Sequence, residues 1–225
     1  TAPNISFTFA NGDDIPAGVI RAKGDLTITG GGSIRSDIYC RNLVATGRNL
    51  YGNIYAHGDV NLSGGNLYGN LYCDGSVTVS NIGGYGSIIS NGSITLSDLT
   101  SFSGNIFAAQ EIRMTRFRAQ GNVIYSRSKI TLGDATGSGS TSSILFSGGD
   151  IVINNGSGYI EGVVIAKGNV SLGAWTQVHY NAALVEQKLG ALKGTFFDPY
   201  GGGGSAALDA SVFQGQSITA IGRIN

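Results

Sequence analysis

Apolar and polar residues alternate along most of this chain, and the alternation belongs to a motif that repeats from Gly18 to Leu172. Its four clearest early copies read GVIRAKGDLTI, GNIYAHGDVNL, GNLYCDGSVTV and GSIISNGSITL, opening at Gly18, Gly52, Gly69 and Gly86. Degraded copies open at Ser36, Gly104, Gly121 and Ser142, and another clear copy opens at Gly162. Most steps between openings are 16 to 18 residues and the last two are 21 and 20. A period this short, built from strand pieces and glycine corners, predicts one rung of a β-solenoid per copy.

The apolar positions of the motif predict which side chains point inward. They lie two, four, eight and ten residues after each opening, as in Ile54, Ala56, Val60 and Leu62. A further apolar position two residues before the opening predicts a third face; it holds Ile34, Leu50, Leu67, Phe102 and Ile160. A glycine six residues after the opening predicts a corner with positive φ, at Gly24, Gly58, Gly75, Gly92 and Gly168. One rung cannot bury its own apolar residues, so the rungs must stack.

We therefore predict an all-β chain, a single-stranded parallel β-solenoid of about nine rungs of 16 to 21 residues. The solenoid and an N-terminal strand cap at Ile5–Phe9 occupy residues 1–174. Residues 175–225 form a C-terminal capping segment with a short helix over Ala182–Lys193, capped by Asn181, then a glycine-rich loop at 201–204 and strands near 211–214 and 217–221.

Composition agrees with an ordered β protein, because 41% of residues are hydrophobic although the chain has 37 glycines. The sequence has no apolar run of about 18 residues, which predicts no insertion into a membrane by this segment. It also begins at Thr1 without a signal peptide, which predicts a trimmed start.

The chain offers little catalytic or metal-binding chemistry. Cys40 and Cys73 share one inward position with the Ala56 rung between them, so we expect free thiols about 10 Å apart. Asp25 and Asp59 lie two rungs apart with Leu43 between them, which is not the close carboxylate pair of a glycosidase.

The two histidines lie in different rungs, and Gly148–Asp150 is a single fragment of a calcium-binding turn. We predict no catalytic residue, no metal site and no cofactor.

Aromatic residues recur at two outward positions, three residues after the opening and directly before it. We expect them to face solvent as two stripes on adjoining faces. The stripe residues are Tyr39, Tyr51, Tyr55, Tyr68, Tyr72, Tyr85 and Phe107, with Ile89 filling a gap. Two interpretations stay open: the rings stabilise neighbouring rungs, or they form a platform for sugar rings, nucleobases or a partner protein.

Charge is balanced, with 14 Lys and Arg against 14 Asp and Glu, which excludes a surface that is basic throughout. Basic residues still cluster, and the candidate DNA-binding residues are Arg113, Arg116, Arg118, Arg127 and Lys129. A second basic group is Arg35, Arg41 and Arg48. These groups are compatible with phosphate contacts; the alternative is a solvated face with cross-rung pairs such as Glu111 with Lys129.

The end of the repeat carries a family resemblance. The resemblance lies in the repeated motif described above, in IAKGNVSL over Ile165–Leu172 and in VHYNAALV over Val178–Val185. In these features the chain resembles the solenoid regions of bacterial type IV pilus-associated, minor-pilin-like proteins. Asn-Ala replaces the Asp-Pro usual in that group. The resemblance implies an extracytoplasmic module carried by a pilin-like helix. In some competence-related members such a solenoid is thought to capture DNA at the pilus tip.

A competing resemblance is to the bactofilins, which are cytoplasmic β-helical filament formers. A plausible cap at each end of this chain argues against a filament subunit. We therefore expect a non-enzymatic binding or display module on the bacterial surface or pilus. Its expected partner is DNA; the alternatives are a surface glycan, a protein such as a pilus subunit, or bactofilin-like assembly.

Overall fold

The chain folds as a parallel β-solenoid of about nine turns, which confirms the predicted fold class. The computed structural model describes residues 4–10, 12–133, 141–154, 158–174 and 176–192. All the described strand pairings are parallel, and each strand pairs with the equivalent strand of the rung before and after it.

The described strands lie on three faces of each rung, and several of them continue around a corner. In chain order they are β1 (Ile5–Thr8), β2 (Val19–Arg21), β3 (Leu26–Thr29), β4 (Ser33–Ile34), β5 (Asp37–Cys40), β6 (Leu43–Leu50), β7 (Ile54–Ala56), β8 (Val60–Leu67), β9 (Leu71–Cys73), β10 (Val77–Ser80), β11 (Gly83–Gly84), β12 (Ile88–Ser90), β13 (Ile94–Phe102), β14 (Ile106–Ala108), β15 (Ile112–Ser126), β16 (Ile130–Gly133), β17 (Thr141–Ser147), β18 (Ile151–Ile153), β19 (Gly158–Ala166), β20 (Val170–Leu172) and β21 (Thr176–Tyr180). One helix follows, α1 (Ala182–Leu192).

The core is a set of apolar columns that run the length of the solenoid. Ile38, Ile54, Leu71 and Ile88 pair in register from β5 to β12, and each is 0% exposed. The predicted inward positions of the clear copies are therefore confirmed. Because a shift of one residue would turn every such side chain outward, burial fixes the register of each rung.

Two degraded copies are displaced by one residue from their predicted openings. Ile124 pairs with Ile106 and with Leu145, so the rungs open at Asn122 and Ser143 instead of Gly121 and Ser142. The register shifts between Gln120 and Asn122, where Gly121 has a φ of +68°. This irregularity adds a residue that the repeat count does not anticipate.

The predicted reason for the corner glycines is wrong. Gly58, Gly75, Gly92 and Gly168 do not have a positive φ. A Cβ atom at these positions would run into the preceding rung, for example into the backbone of Gly75 above Gly92 or the side chain of Asn42 beside Gly58. Close stacking of successive corners, and not backbone handedness, requires glycine here.

Positive φ occurs instead at the corner between the second and third faces. Gly47, Gly64, Asn81, Asp98 and Arg116 follow residues that pair in register, and their φ values are 75°, 67°, 53°, 54° and 47°. Gly, Asn and Asp tolerate this conformation better than other residues. A left-handed corner therefore lies inside β13, at Asp98, without ending the strand, and Arg116 adopts the same conformation inside β15.

The N-terminal strand caps the first rung, as predicted. β1 pairs in parallel with β3 through Ile5 and Leu26. Beneath it, the guanidinium of Arg48 is buried, donates to the carbonyl of Asp13 at 2.6 Å and lies 4.4 Å from the ring centroid of Phe9. Burial lowers the pKa of the Arg48 guanidinium.

Helix α1 begins where predicted. The side chain of Asn181 accepts a hydrogen bond from the N–H of Leu184 at 2.9 Å, which confirms the cap, and donates to Glu161 at 2.6 Å. The loop and strands predicted beyond residue 192 lie outside the described residues. The division of the chain at residue 174 stays a prediction.

Candidate ligand-binding face

The first face of the rungs carries an outward column of side chains that is continuous from one end to the other. Strand register places the nine members in line, so each lies one rung from the next. The column, called the outer column below, is Arg21, Tyr39, Tyr55, Tyr72, Ile89, Phe107, Tyr125, Phe146 and Ile165.

The tyrosines of the outer column stack on each other. The ring centroids of Tyr39 and Tyr55 are 4.7 Å apart with an interplanar angle of 12°, and those of Tyr55 and Tyr72 are 5.2 Å apart with an angle of 7°. Parallel strands lie about 4.8 Å apart, so the fold itself sets this stacking distance. The rings form the ladder expected from their spacing.

A second ladder lies one corner away, directly before the openings of the rungs. Tyr51 and Tyr68 stack at 4.6 Å and 27°, and Tyr85 follows at 5.1 Å with its ring tilted by 50°. We call the two ladders together the tyrosine face. It comprises Tyr39, Tyr55 and Tyr72 in one ladder and Tyr51, Tyr68 and Tyr85 in the other.

Each ladder begins with an arginine that the sequence analysis did not connect to it. The Cζ atom of Arg21 lies 4.8 Å from the ring centroid of Tyr39, and that of Arg35 lies 4.7 Å from the ring centroid of Tyr51. Both are cation–π contacts. The sequence indicates both contacts, because Arg21 and Arg35 occupy the same two motif positions as the tyrosines, one rung before Tyr39 and Tyr51.

The tyrosine face presents ring edges and hydroxyl groups to solvent. The side chains of Tyr51, Tyr72 and Tyr85 are 39%, 38% and 62% exposed. Because stacked rings cover each other's faces, the ladder interior offers less ring face for a base or a sugar than isolated tyrosines would. Burial in the stack, with the neighbouring tyrosines, raises the pKa of Tyr55.

A column of hydrogen-bonding side chains separates the two ladders. The side-chain oxygen of Asp37 accepts from the N–H of Asn53 at 2.7 Å, Asn53 accepts from Asn70 at 3.0 Å, and Asn70 accepts from Ser87 at 3.0 Å. Asn122 does not belong to this column, because its side chain is fully buried and donates to the carbonyl of Gly104.

Phe107 is not part of an exposed stripe, so that prediction is wrong. It is only 4% exposed and belongs to a second apolar cluster on the outer side of the first face. The cluster contains Phe107, Val123, Tyr125, Ile144 and Phe146, with Ile89, Val163, Ile165 and Val185 packed against it. Because Val185 belongs to α1, the helix packs on this cluster, where it contacts β15 and β19.

The five candidate DNA-binding residues do not form one free basic patch. Arg113 pairs with Glu111 at 3.0 Å, and Arg116 pairs with Asp98 through two contacts of 2.5 and 2.7 Å. The Arg116 guanidinium lowers the pKa of Asp98. The side chain of Arg118 lies outside the described part of the chain.

Arg127 and Lys129 lie at the corner that precedes the second face of their rung, whereas Arg116 lies at the corner that follows that face. Thr131, and not Lys129, donates a hydrogen bond to Glu111, at 3.0 Å. The four residues whose side chains are described therefore lie on different sides of the rod.

The second basic group is also divided. Arg41 forms a bidentate pair with Asp25, with both contacts at 2.9 Å, and this pair lowers the pKa of Asp25. Arg48 is buried, and Arg35 stacks on Tyr51. Among the residues that the structure describes, neither Arg21 nor Arg35 forms an ion pair with a carboxylate.

The residues considered for catalysis have structural partners. Asn42, and not Leu43, lies between Asp25 and Asp59. Its amide nitrogen donates to the side chain of Asp25 at 2.7 Å, and its side-chain oxygen accepts from the N–H of Asp59 at 2.7 Å. Cys40 and Cys73 pair in register with Ala56 between them, and both are buried free thiols, as predicted. Burial raises their pKa values to about 12 and about 11.

His57 pairs with Asp74 at 3.0 Å on the surface. Within the described ranges, no group of three or more His, Cys, Asp or Glu residues is arranged to hold a metal ion. Over the same residues no helix is both long and apolar enough to cross a bilayer.

Comparisons with known proteins give no match: no family model, no curated protein and no solved structure is significantly similar to this chain.

Proposed function

We propose that this chain is a non-enzymatic binding module that holds an extended polymer along its tyrosine face. The observation that carries the proposal is the contrast between the two halves of the outer column. From Phe107 onward the column belongs to an apolar cluster, and the chain packs its own helix on that cluster. Where the column is tyrosine, rings such as Tyr72 are left exposed beside a second exposed row.

The chemistry of this face suits a ligand with many hydroxyl or acidic groups. The phenol groups of Tyr51 and Tyr85 can donate and accept hydrogen bonds. Tyrosine is also enriched among residues that dominate binding energy at protein surfaces. A rod that repeats such groups about every 4.8 Å suits an elongated partner better than a small molecule.

Duplex DNA stays a candidate because two arginines, Arg21 and Arg35, lie at one end of this face. The pairing of Arg113 and Arg116 with carboxylates weakens the case for the basic cluster that the sequence suggested. The resemblance of Ile165–Leu172 to pilus-associated solenoids supports a place on the bacterial surface, where both DNA and polysaccharides are met.

Affinity electrophoresis in gels that contain duplex DNA, a neutral β-glucan or a polyuronate tests the proposal. We expect at least one polymer to retard the wild-type chain. The Tyr55→Ser/Tyr72→Ser variant should bind that polymer at least about tenfold more weakly. Tyr180→Ser is the matched control, since Tyr180 is 70% exposed and lies outside both ladders. Circular dichroism shows whether each variant keeps its fold.

The proposal fails if no polymer of the panel retards the chain. It also fails if the ladder variant and the Tyr180→Ser control bind equally well, because the polymer then lies on another surface.

A further inference from the structure

We infer that the two arginines that begin the tyrosine ladders form a binding site for acidic groups of a polysaccharide. This inference rests on the proposed function and names its ligand class. The site consists of Arg21 on Tyr39 and Arg35 on Tyr51. It would select uronate-containing polymers over neutral ones.

The two guanidinium groups lie at the same end of the tyrosine face. Arg21 is the first member of the outer column, and Arg35 precedes Tyr51 by one rung in the second ladder. Both side chains are exposed. Stacking on a ring uses one face of a guanidinium and leaves its N–H donors free at the edge. Each arginine is therefore oriented by its tyrosine while its hydrogen-bonding capacity is retained.

Two carboxylates close in the chain to these arginines, Asp37 and Asp14, accept backbone hydrogen bonds and form no ion pair with an arginine among the described residues. The Asp37 side chain, in the column between the ladders, accepts from the N–H of Asn53 at 2.7 Å. The Asp14 side chain accepts from the N–H of Ser33 at 2.7 Å. By contrast, Arg41, Arg113 and Arg116 all form ion pairs with neighbouring carboxylates. The arginines on the ladders differ from these in being held by rings.

A carboxylate suits this arrangement because the fork of a guanidinium donates two parallel hydrogen bonds to it. Beyond the arginines, a chain that runs along the rod would meet phenol groups and the amides of Asn53 and Asn70. Such groups hydrogen-bond to sugar hydroxyls. The acid-binding site and the hydroxyl-binding rows thus lie on one continuous face.

Nucleic acid fits the same face less well. Single strands are bound by stacking bases on free ring faces, and the faces of Tyr55 are covered by Tyr39 and Tyr72. Duplex DNA is bound by neutralising many phosphates. Two arginines on a chain with no net charge supply little of that neutralisation.

Binding of a polyuronate, a neutral β-glucan of similar length and duplex DNA to the whole chain tests the inference. We compare the wild type with Arg21→Gln/Arg35→Gln and with the matched control Arg113→Gln/Arg116→Gln, which also removes two exposed arginines. The polyuronate should bind most tightly. Its affinity should fall about tenfold or more in the first variant and less than about twofold in the control. Thermal unfolding confirms that both variants fold.

The other outcomes overturn the inference in distinguishable ways. Equal binding of polyuronate and β-glucan, both lost in Tyr55→Ser/Tyr72→Ser, refutes the acid site and leaves the proposed function standing. DNA binding that is tighter than polyuronate binding, or that is lost in the Arg113→Gln/Arg116→Gln variant, moves the ligand to nucleic acid. Binding of none of the three polymers refutes both proposals.

Discussion

The outer column has two halves that share the same backbone arrangement but differ in exposure to solvent. From Tyr39 to Tyr72 its side chains stack in contact with solvent, and the neighbouring column is built from Asp, Asn and Ser. From Phe107 to Ile165 its side chains belong to an apolar cluster on which α1 packs, and the neighbouring column holds Val123, Ile144 and Val163. A solenoid surface is therefore specified column by column: the backbone supplies the register, and side chains decide whether a stretch is covered.

Removing a ring from the covered half should have the largest effect on stability. Phe107→Ala leaves a cavity in the apolar cluster on which α1 packs, so we expect the free energy of unfolding to fall by about 3 to 5 kcal/mol. Tyr55→Ala, in the exposed half of the same column, loses mainly stacking and should cost about 1 to 2 kcal/mol. Urea unfolding curves of the two variants measure the difference. Equal losses would mean that the two halves are buried alike.

Detaching the helix should have the next largest effect. Val185→Asp places a charge against the apolar cluster, and we expect a loss of about 2 to 3 kcal/mol. Hydrogen exchange should then quicken in α1 and β17 while β7 and β9 stay protected. Glu186→Asp is a control on the exposed side of the same helix. Faster exchange throughout the rod would show instead that the helix holds the whole solenoid together.

The comparison also shows what the sequence can and cannot predict. Ile38, Ile54 and Leu71 alternate with polar neighbours, so their inward direction follows from periodicity alone. In Val123-Ile124-Tyr125 both sides of the strand are apolar, and alternation no longer fixes the register. Only the covering helix, about 60 residues further along the chain, explains why both sides are apolar.

The sequence likewise predicts only the part of the candidate site that follows from the repeat. The tyrosine ladders follow from a fixed spacing within the repeat. The ion pair of Arg113 joins it to Glu111, two residues away in the chain, whereas the ion pair of Arg116 depends on which carboxylate a corner brings near. Asp98 comes within 2.5 Å of Arg116 across one rung at a left-handed corner, a geometry that no local pattern of charges encodes.

Removing the helix cap should have a smaller effect. Asn181→Ala deletes the hydrogen bond to the N–H of Leu184 and should reduce stability by about 1 kcal/mol. Asn181→Ser, which restores a capping oxygen, should recover most of this loss. Thermal unfolding of the two variants checks the prediction. A loss that serine does not recover would assign the effect to the contact between Asn181 and Glu161.

The smallest expected change in stability comes from the thiols beneath the tyrosine half of the outer column. These thiols also report on the rigidity of that half. Cys40 and Cys73 follow Tyr39 and Tyr72 on the inner side of the same strands. Their raised pKa values, about 12 and about 11, mean that the unfolded chain releases these protons first. Their contribution to stability is therefore complete well below about pH 8.5 and declines as pH rises toward those values.

Comparison of the wild type with Cys40→Ala/Cys73→Ala between pH 7.5 and pH 8.5 isolates this contribution. The wild type should lose about 0.5 to 1 kcal/mol more stability than the variant over that range. A native chain should also react slowly with a thiol reagent at pH 8, because the thiols are buried. Rapid reaction would show that the tyrosine half opens without unfolding of the rod.

Tyrosine modification with and without a polyuronate, mapped by mass spectrometry, tests the central claim most directly. In the free chain Tyr85 and Tyr72 should react, whereas Tyr125, which is 4% exposed under α1, should not. With the polymer present the ladder tyrosines should become protected while Tyr180 keeps its reactivity. Tyr125 reacting as fast as Tyr85, or a polymer that protects Tyr180 and leaves the ladders unchanged, would contradict the account.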